Sequence, residues 1–351
     1  MTTPLMGHLH RLIEAHGPIG VAQYMAEALG HPQFGYYTTR DPLGKGGDFV
    51  TAPEISQMFG ELIGAWCADL WLQMKRPAPL RLIELGPGRG TLMSDALRAT
   101  RSVAGFHAAV DLHLVETSPT LRAAQSATLA AFQPTWHEDI GTLPPGPAIL
   151  LANEFFDALP VRQFQASAGA WHERLVDIDG PESLRFVLNA AAEGPTSATE
   201  GTIRETCPAG LAVAGALASR IVRYGGAALI VDYGYDRPGF GDTLQALRDH
   251  RFHDVLASPG DADLTAHVDF AALSEAARNA GARSHGPVDQ GRFLAALGLG
   301  TRAAALKRAA PDEADAIDAA VARLTGSAQM GSLFKVLAVT STGLVPAGFE
   351  A

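Results

Sequence analysis

The chain has 351 residues, room for roughly two domains at ~150 residues each, and 47% of them are hydrophobic, enough for a sizeable core. A net charge of −10 excludes loose electrostatic binding to nucleic acid or an anionic membrane, since both need a cationic face. Two cysteines, Cys67 and Cys207, exclude a disulfide framework or zinc knuckle, and no apolar run approaches the ~20 residues of a membrane helix.

The opening "MTTPLMGHLHRLIEAHG" has neither a long apolar core nor an Arg/Ser-rich leader, so a cytoplasmic location is expected. Residues 1–75 read as a helical region with a Gly-rich interruption. "GPIGVAQYMAEALG" sets Ile19, Ala22, Met25, Ala26 and Leu29 on one helical face. After the turn-rich "HPQFGYYTTRDPLGKGGDFVTAPE", a helix is expected from about Ala52, with Thr51 and Glu54 spaced as a capping box. Ile55, Met58, Phe59, Leu62, Ile63 and Trp66 supply its apolar stripe.

From Leu80 the pattern becomes strands alternating with helices, the mark of a parallel α/β sheet. Strands are expected at Leu80–Leu85, Asp111–Glu116, a short run ending near Trp136, Ala148–Ala152, Ala227–Asp232 and Leu333–Thr340. Helices are expected at about 91–98, 119–132 and 211–224. Residues 76–351 thus form the core domain, with a β insertion on the substrate side at about 161–210 and helical elements at about 240–330. The Gly/Ser/Thr-rich "AAEGPTSATEGT" reads as a mobile loop of that insertion.

"RLIELGPGRGTL" is the strongest local signal. Gly86, Gly88 and Gly90 permit a sharp turn and close backbone approach to a ligand after the first strand. Counted from Gly86, the sixth position is Thr91, which departs from the dinucleotide fingerprint, and no Gly-Lys-Ser/Thr ending makes it a phosphate loop. Glu84 before the loop disfavours a pyrophosphate and suits a ligand carrying an ammonium and a sulfonium, S-adenosylmethionine. Glu116 ends the second strand, where an acid can accept both ribose hydroxyls, and Asp139 follows the third, in place for the adenine amino group. Each acid alone reads equally as a helix cap or solvated loop end. Three at successive strand ends point to the methyl donor.

"LANEFFDALP" poses a further question: Asn153, Glu154 and Asp157 stand at the open end of a core strand. Buried carboxylates need a cation or several donors. Asp157 reads also as a turn cap, and Phe155 and Phe156 read as core unless one covers the donor. "GKGGDFVTAP" is either a lid with Asp48 at its polar end or a turn; His267 and Asp269 either line the acceptor side or are structural. No group of residues has the spacing of a zinc site, and no metal is expected.

Taken together, "GPIGVAQYM", "GDFVTAPEISQMFGELIGAW", "IELGPGRGTLMSDALR", "NEFFDALPVRQF", "VDYGY", "DLTAHVDF" and "GSLFKVL" resemble the MidA-type family of class I methyltransferases, over nearly the whole chain. The resemblance implies a Rossmann-like sheet, mostly parallel with one antiparallel strand, and a helical N-terminal region. It implies S-adenosyl-L-methionine as donor, S-adenosyl-L-homocysteine as product, and a protein arginine as acceptor, dimethylated symmetrically. The implied protein partner is a quinone-module subunit of respiratory complex I. Guanidinium is a planar fork of donors that carboxylates match, so Glu154 and Asp157 become the candidate clamp beside Asn153. A different protein or a small molecule as acceptor, a donor-binding assembly chaperone and a nicotinamide-dependent oxidoreductase are the alternatives; Glu84 and Thr91 disfavour the last.

Overall fold

Strands covered on both faces read as continuous apolar runs, and the core strands of this chain do so because helices flank their sheet. The computed structural model describes residues 3–39 and 51–349, and the chain divides into two compact units. One lies within Val50–Phe156, Ala212–Asp236 and Val268–Ala351; the other within Met1–Phe49, Asp157–Leu211 and Arg237–His267.

The first unit is built on β1 (Leu80–Leu85), β2 (Val110–Val115), β3 (Thr135–His137), β4 (Ala148–Asn153), β5 (Gly226–Tyr235), β6 (Arg283–Asp289) and β7 (Phe334–Thr340). Their order across the sheet is β6-β7-β5-β4-β1-β2-β3. β3, β2, β1, β4 and β5 pair in parallel, while β7 runs antiparallel to both β5 and β6. This is the expected Rossmann-like sheet with one reversed strand. Helices α1 (Gln57–Gln73), α2 (Thr91–Ala99) and α3 (Pro119–Thr128) belong to the same unit. Phe59, Ile63 and Trp66 of α1 share one core with Leu80 and Leu82 of β1 and Ile149 and Leu151 of β4. Burying side chains of this size stabilises by ~1.5–3 kcal/mol each. Parallel pairing brings the carboxyl ends of β1, β2, β4 and β5 to one edge, where ligands of such sheets bind.

In the second unit, helices Pro4–His16 and Val21–Gly30 share a core with strand residues Val176 and Leu264. Its larger sheet is antiparallel and contains the insertion after β4: Arg162–Ser167, Ala170–Ile178, Leu184–Pro195 and Ile203–Thr206. A smaller sheet joins Gln245–Arg248, Arg251–His253 and Asp263–Thr265.

Several expectations need correction. The helix from Ala52 stops at Ile55, and α1 starts afresh after Ser56, whose hydroxyl accepts from Met58 N at 3.2 Å. Thr51 makes no side-chain cap bond; Glu54 instead accepts from Thr91 Oγ1 at 2.7 Å, so the capping box does not form. The face buried in Val21–Gly30 is Val21, Tyr24, Met25, Ala28 and Leu29, with Ala26 outside it. The expected mobile loop begins as strand, through Pro195, because it pairs back to Ala170 and His172. β6 went unpredicted because Gly286 and Pro287 interrupt its pattern, and the register shifts there between His285 and Val288.

Candidate active site

The glycine loop follows β1 as expected. Gly86, Gly88 and Gly90 have φ of +58°, +54° and +81°, left-handed backbone that favours glycine. Gly90 then caps α2. Phe155 lies against this turn: a Cβ on Gly86 would stand 3.0 Å from its ring. Phe156 is core, 3% exposed, and Phe155 meets it edge-on at 5.5 Å. Of the two rings, Phe155 is the one beside the glycine loop.

Alternation along the strands places Leu80, Leu82 and Glu84 of β1 on one face, and Ile149, Leu151 and Asn153 of β4 on the same face. Glu84 is 3% exposed, and burial pushes its carboxyl up to about 8. Glu84 Oε2 and Asn153 Oδ1 are buried acceptors without a hydrogen-bond partner among the described residues. Such groups cost ~1–3 kcal/mol each when unpaired. Two of them at neighbouring strand ends call for a ligand rich in N–H donors or positive charge.

Glu116, just beyond β2, is fastened on both oxygens. Oε1 accepts from Ser118 N at 2.8 Å and Oε2 from Gln125 Nε2 at 3.1 Å. Burial raises its pKa, and the donors from Ser118 and Gln125 oppose that rise. Asp139 is exposed and one of its oxygens accepts from Gly141 N at 2.7 Å, capping a short turn after β3.

The post-β4 loop is held under strain. Glu154 has φ +50°, rare for a residue with a side chain. Its N–H reaches Val231 O at 2.8 Å, while the N–H groups of Phe155 and Phe156 donate to Asp232 Oδ2 at 3.2 and 2.9 Å. Asp232, fully buried within β5, therefore shapes this loop. Glu154 Oε1 accepts from Asn153 Nδ2 at 3.0 Å and from Ala52 N at 2.9 Å, the start of the short helix whose Glu54 binds Thr91. The Glu154 carboxyl group is thus fixed between the glycine loop's neighbours and the β4 end.

The remaining sequence candidates have structural partners or lie outside the described residues. Asp157 belongs to the other unit, is 7% exposed, and acts with Asp263 on the buried Tyr37 hydroxyl, which burial and these charges push well up. His267 also lies there: its N–H donates to Thr243 Oγ1 at 2.9 Å, and burial lowers its pKa against the opposing charge of Glu205. Asp269 caps the helix Phe270–Asn279 by accepting from Ala272 N at 2.9 Å. Asp48 lies outside the described residues. His8, Glu27 and His31 bring possible metal ligands within 4.8 Å of one another. His31 Nδ1, however, accepts from Gln33 N and Phe34 N at 3.1 and 3.2 Å, so ligation through its other nitrogen would leave an imidazolate.

Sequence reading missed Asp232 and Gln125. Asp232 carries the signal used for Glu84, an acid closing an apolar strand. Gln125 carries none.

A family model described as "Putative S-adenosyl-L-methionine-dependent methyltransferase" matches residues 62–288. The chain belongs to this methyltransferase family. It is 42% identical over 331 residues to the Danio rerio "Protein arginine methyltransferase NDUFAF7, mitochondrial", covering 85% of this chain and 77% of the relative. The Homo sapiens protein of the same name is 41% identical over 332 residues, covering 86% and 74%. A crystal structure from Burkholderia thailandensis bound to S-adenosyl-homocysteine is 31% identical, has a TM-score of 0.85, and matches across 99% of this chain and 92% of its own.

The enzyme is therefore a class I S-adenosylmethionine-dependent methyltransferase. The unpaired acceptors on Glu84 and Asn153 and the close-approach turn at Gly86–Gly90 fit a donor that carries an ammonium group. The cytoplasmic expectation is corrected: the relatives it matches are named as mitochondrial proteins. No helix among the described residues is long and apolar enough to cross a membrane.

Proposed function

We propose that this methyltransferase acts on the guanidinium of a protein arginine, and that Glu154 holds that group. The observation that carries the reading is the Glu154 carboxylate, held at a left-handed backbone position with its Oε1 anchored by Ala52 N and Asn153 Nδ2. The relatives' shared name, protein arginine methyltransferase, supports the same acceptor. A respiratory complex I subunit of the quinone module, methylated symmetrically, is the specific acceptor we propose from the family resemblance.

The bound donor supplies an electrophilic methyl on a sulfonium. Glu84 and Asn153 receive its ammonium end, Glu116 its ribose hydroxyls and Asp139 its adenine, while Gly86, Gly88 and Gly90 let the backbone approach. Phe155 shields the reacting centre from water. Glu154 pairs with the guanidinium, keeps positive charge on the nitrogens it faces, and leaves the attacking nitrogen its lone pair. Most of the acceleration comes from positioning and desolvation.

Loss of the enzyme should erase methylation at one arginine site, read by mass spectrometry of proteins from a deletion strain. No change at any arginine, with methylation lost from another residue type or a small molecule, would overturn the arginine reading.

Two predictions test the donor assignments. With its pKa pushed up to about 8, Glu84 is mostly protonated at pH 7, and an ammonium placed against it lowers that value. Donor binding at pH 7 should therefore release a proton, seen as binding heats that differ between buffers of unlike ionisation enthalpy. Glu84→Gln should abolish the difference; equal heats in wild type would remove Glu84 from the ammonium site. Glu116→Ala should weaken donor and demethylated product by a similar factor, about ten- to hundredfold for lost charge-assisted hydrogen bonds. The Michaelis constant should rise while turnover at saturation persists. A fall in turnover at unchanged affinity contradicts the ribose role.

A further inference from the structure

A fully buried glutamine in mid-helix is costly unless every polar atom is paired. Gln125 of α3 is such a residue, at 0% exposure. Its Nε2 donates to Gly88 O at 2.7 Å and to Glu116 Oε2 at 3.1 Å, and its Oε1 accepts from Trp136 Nε1 at 2.8 Å. An indole N–H only donates and a carbonyl only accepts, so the two neutral partners demand one orientation of the amide. One side chain thus joins the glycine loop after β1, the acid after β2 and the edge strand β3.

We propose that Gln125 is a positioning residue for the methyl donor, locking the Glu116 carboxylate and the Gly88 peptide into one geometry. The proposal rests on the reading of Glu116 and the glycine loop as donor contacts. No other type of side chain supplies the same set. Leucine leaves the Gly88 carbonyl and the Trp136 N–H unpaired; asparagine is one methylene short; glutamate loses both N–H donors and sets a second carboxyl against Glu116. With this amide in place, the loop carbonyl cannot swing and the acid cannot turn away when the ribose leaves.

The test uses the full-length protein with S-adenosylhomocysteine as the calorimetric probe between pH 6 and 9, and donor kinetics alongside. Gln125→Leu should weaken the product and raise the donor's Michaelis constant about ten- to hundredfold, with turnover at saturation retained. Gln125→Glu should do something a packing defect does not. While protonated, the new carboxyl donates one hydrogen bond to Glu116; once ionised, it repels that acid. The ratio of variant to wild-type dissociation constants should therefore climb with pH, and fall again when the same sample is returned to pH 6. That reversal keeps the test valid if Gln125→Leu does not fold. A ratio that is flat with pH, whether at one or above it, overturns the proposal. Glu116→Ala, measured in parallel, separates the two ideas: wild-type affinity there sinks the ribose reading itself. A weakened Glu116→Ala beside a flat Gln125→Glu ratio sinks the positioning role alone.

Discussion

Gly88→Val should abolish binding of S-adenosylmethionine and its product while leaving the fold in place. Gly88 has φ +54°, a backbone state in which a β-branched residue is a genuine outlier. The Gly88 carbonyl is also held by Gln125 Nε2 at 2.7 Å, so the turn cannot relax without losing that bond. Strain of this kind costs on the order of 1–3 kcal/mol, which a fold stable by ~5–15 kcal/mol absorbs. The loop, rather than the sheet, is expected to give way, and the close backbone approach proposed for the donor is then lost. Calorimetry should show no donor binding, with far-ultraviolet circular dichroism unchanged and a lowered melting temperature. Gly88→Ala, free of β-branching, should retain weakened binding. Full affinity in Gly88→Val would remove this loop from the donor site.

The parts of the fold that are legible in sequence are those dictated by local pattern. β1 reads as Leu80–Leu85 and is observed there, because a run buried on both faces carries an uninterrupted apolar signal. β6 does not, since Gly286 and Pro287 break the pattern and only pairing with β7 makes those residues a strand. Ser56 shows the same limit: Thr51 and Glu54 have the spacing of a cap, yet Glu54 is drawn to Thr91, a residue 37 positions away. Within the site, glycines and strand-end acids announce themselves. The residues that shape them do not, because their roles arise from distant contacts. Asp232 meets Phe155 and Phe156 across 77 and 76 positions, and Gln125 meets Gly88 across 37. Nor does the spacing around Glu154 foretell its left-handed backbone, which Asp232 and Val231 impose from β5.

That imposed geometry bears on the second large effect, in Glu154→Gln. The substitution keeps size and shape, and the amide oxygen can still accept from Ala52 N and Asn153 Nδ2, so the anchor of Oε1 survives. What changes is the other end of the group. A carboxylate oxygen becomes an NH₂, which offers donors to a guanidinium that has only donors of its own, and the negative charge is gone. If Glu154 orders and polarises the acceptor, turnover should fall by ~10²–10³, the scale of losing one preorganised electrostatic partner. Donor affinity should stay within a few-fold, because the amide oxygen still accepts from Asn153 Nδ2 and the substitution leaves Glu84 and Glu116 untouched. Asp157→Asn should cost less if that carboxylate chiefly serves its buried surroundings near Tyr37. Comparable damage would promote it to an equal share of the guanidinium clamp. The deciding measurement is single-turnover methylation of the identified acceptor, paired with calorimetry for S-adenosylmethionine. Wild-type turnover in Glu154→Gln would make the acid a purely structural anchor for the Ala52 turn. Collapse of donor binding would move it into the donor pocket. Lost turnover at near-normal donor affinity leaves the acceptor side as its place, since only a contact made to the guanidinium or in the transition state is then missing.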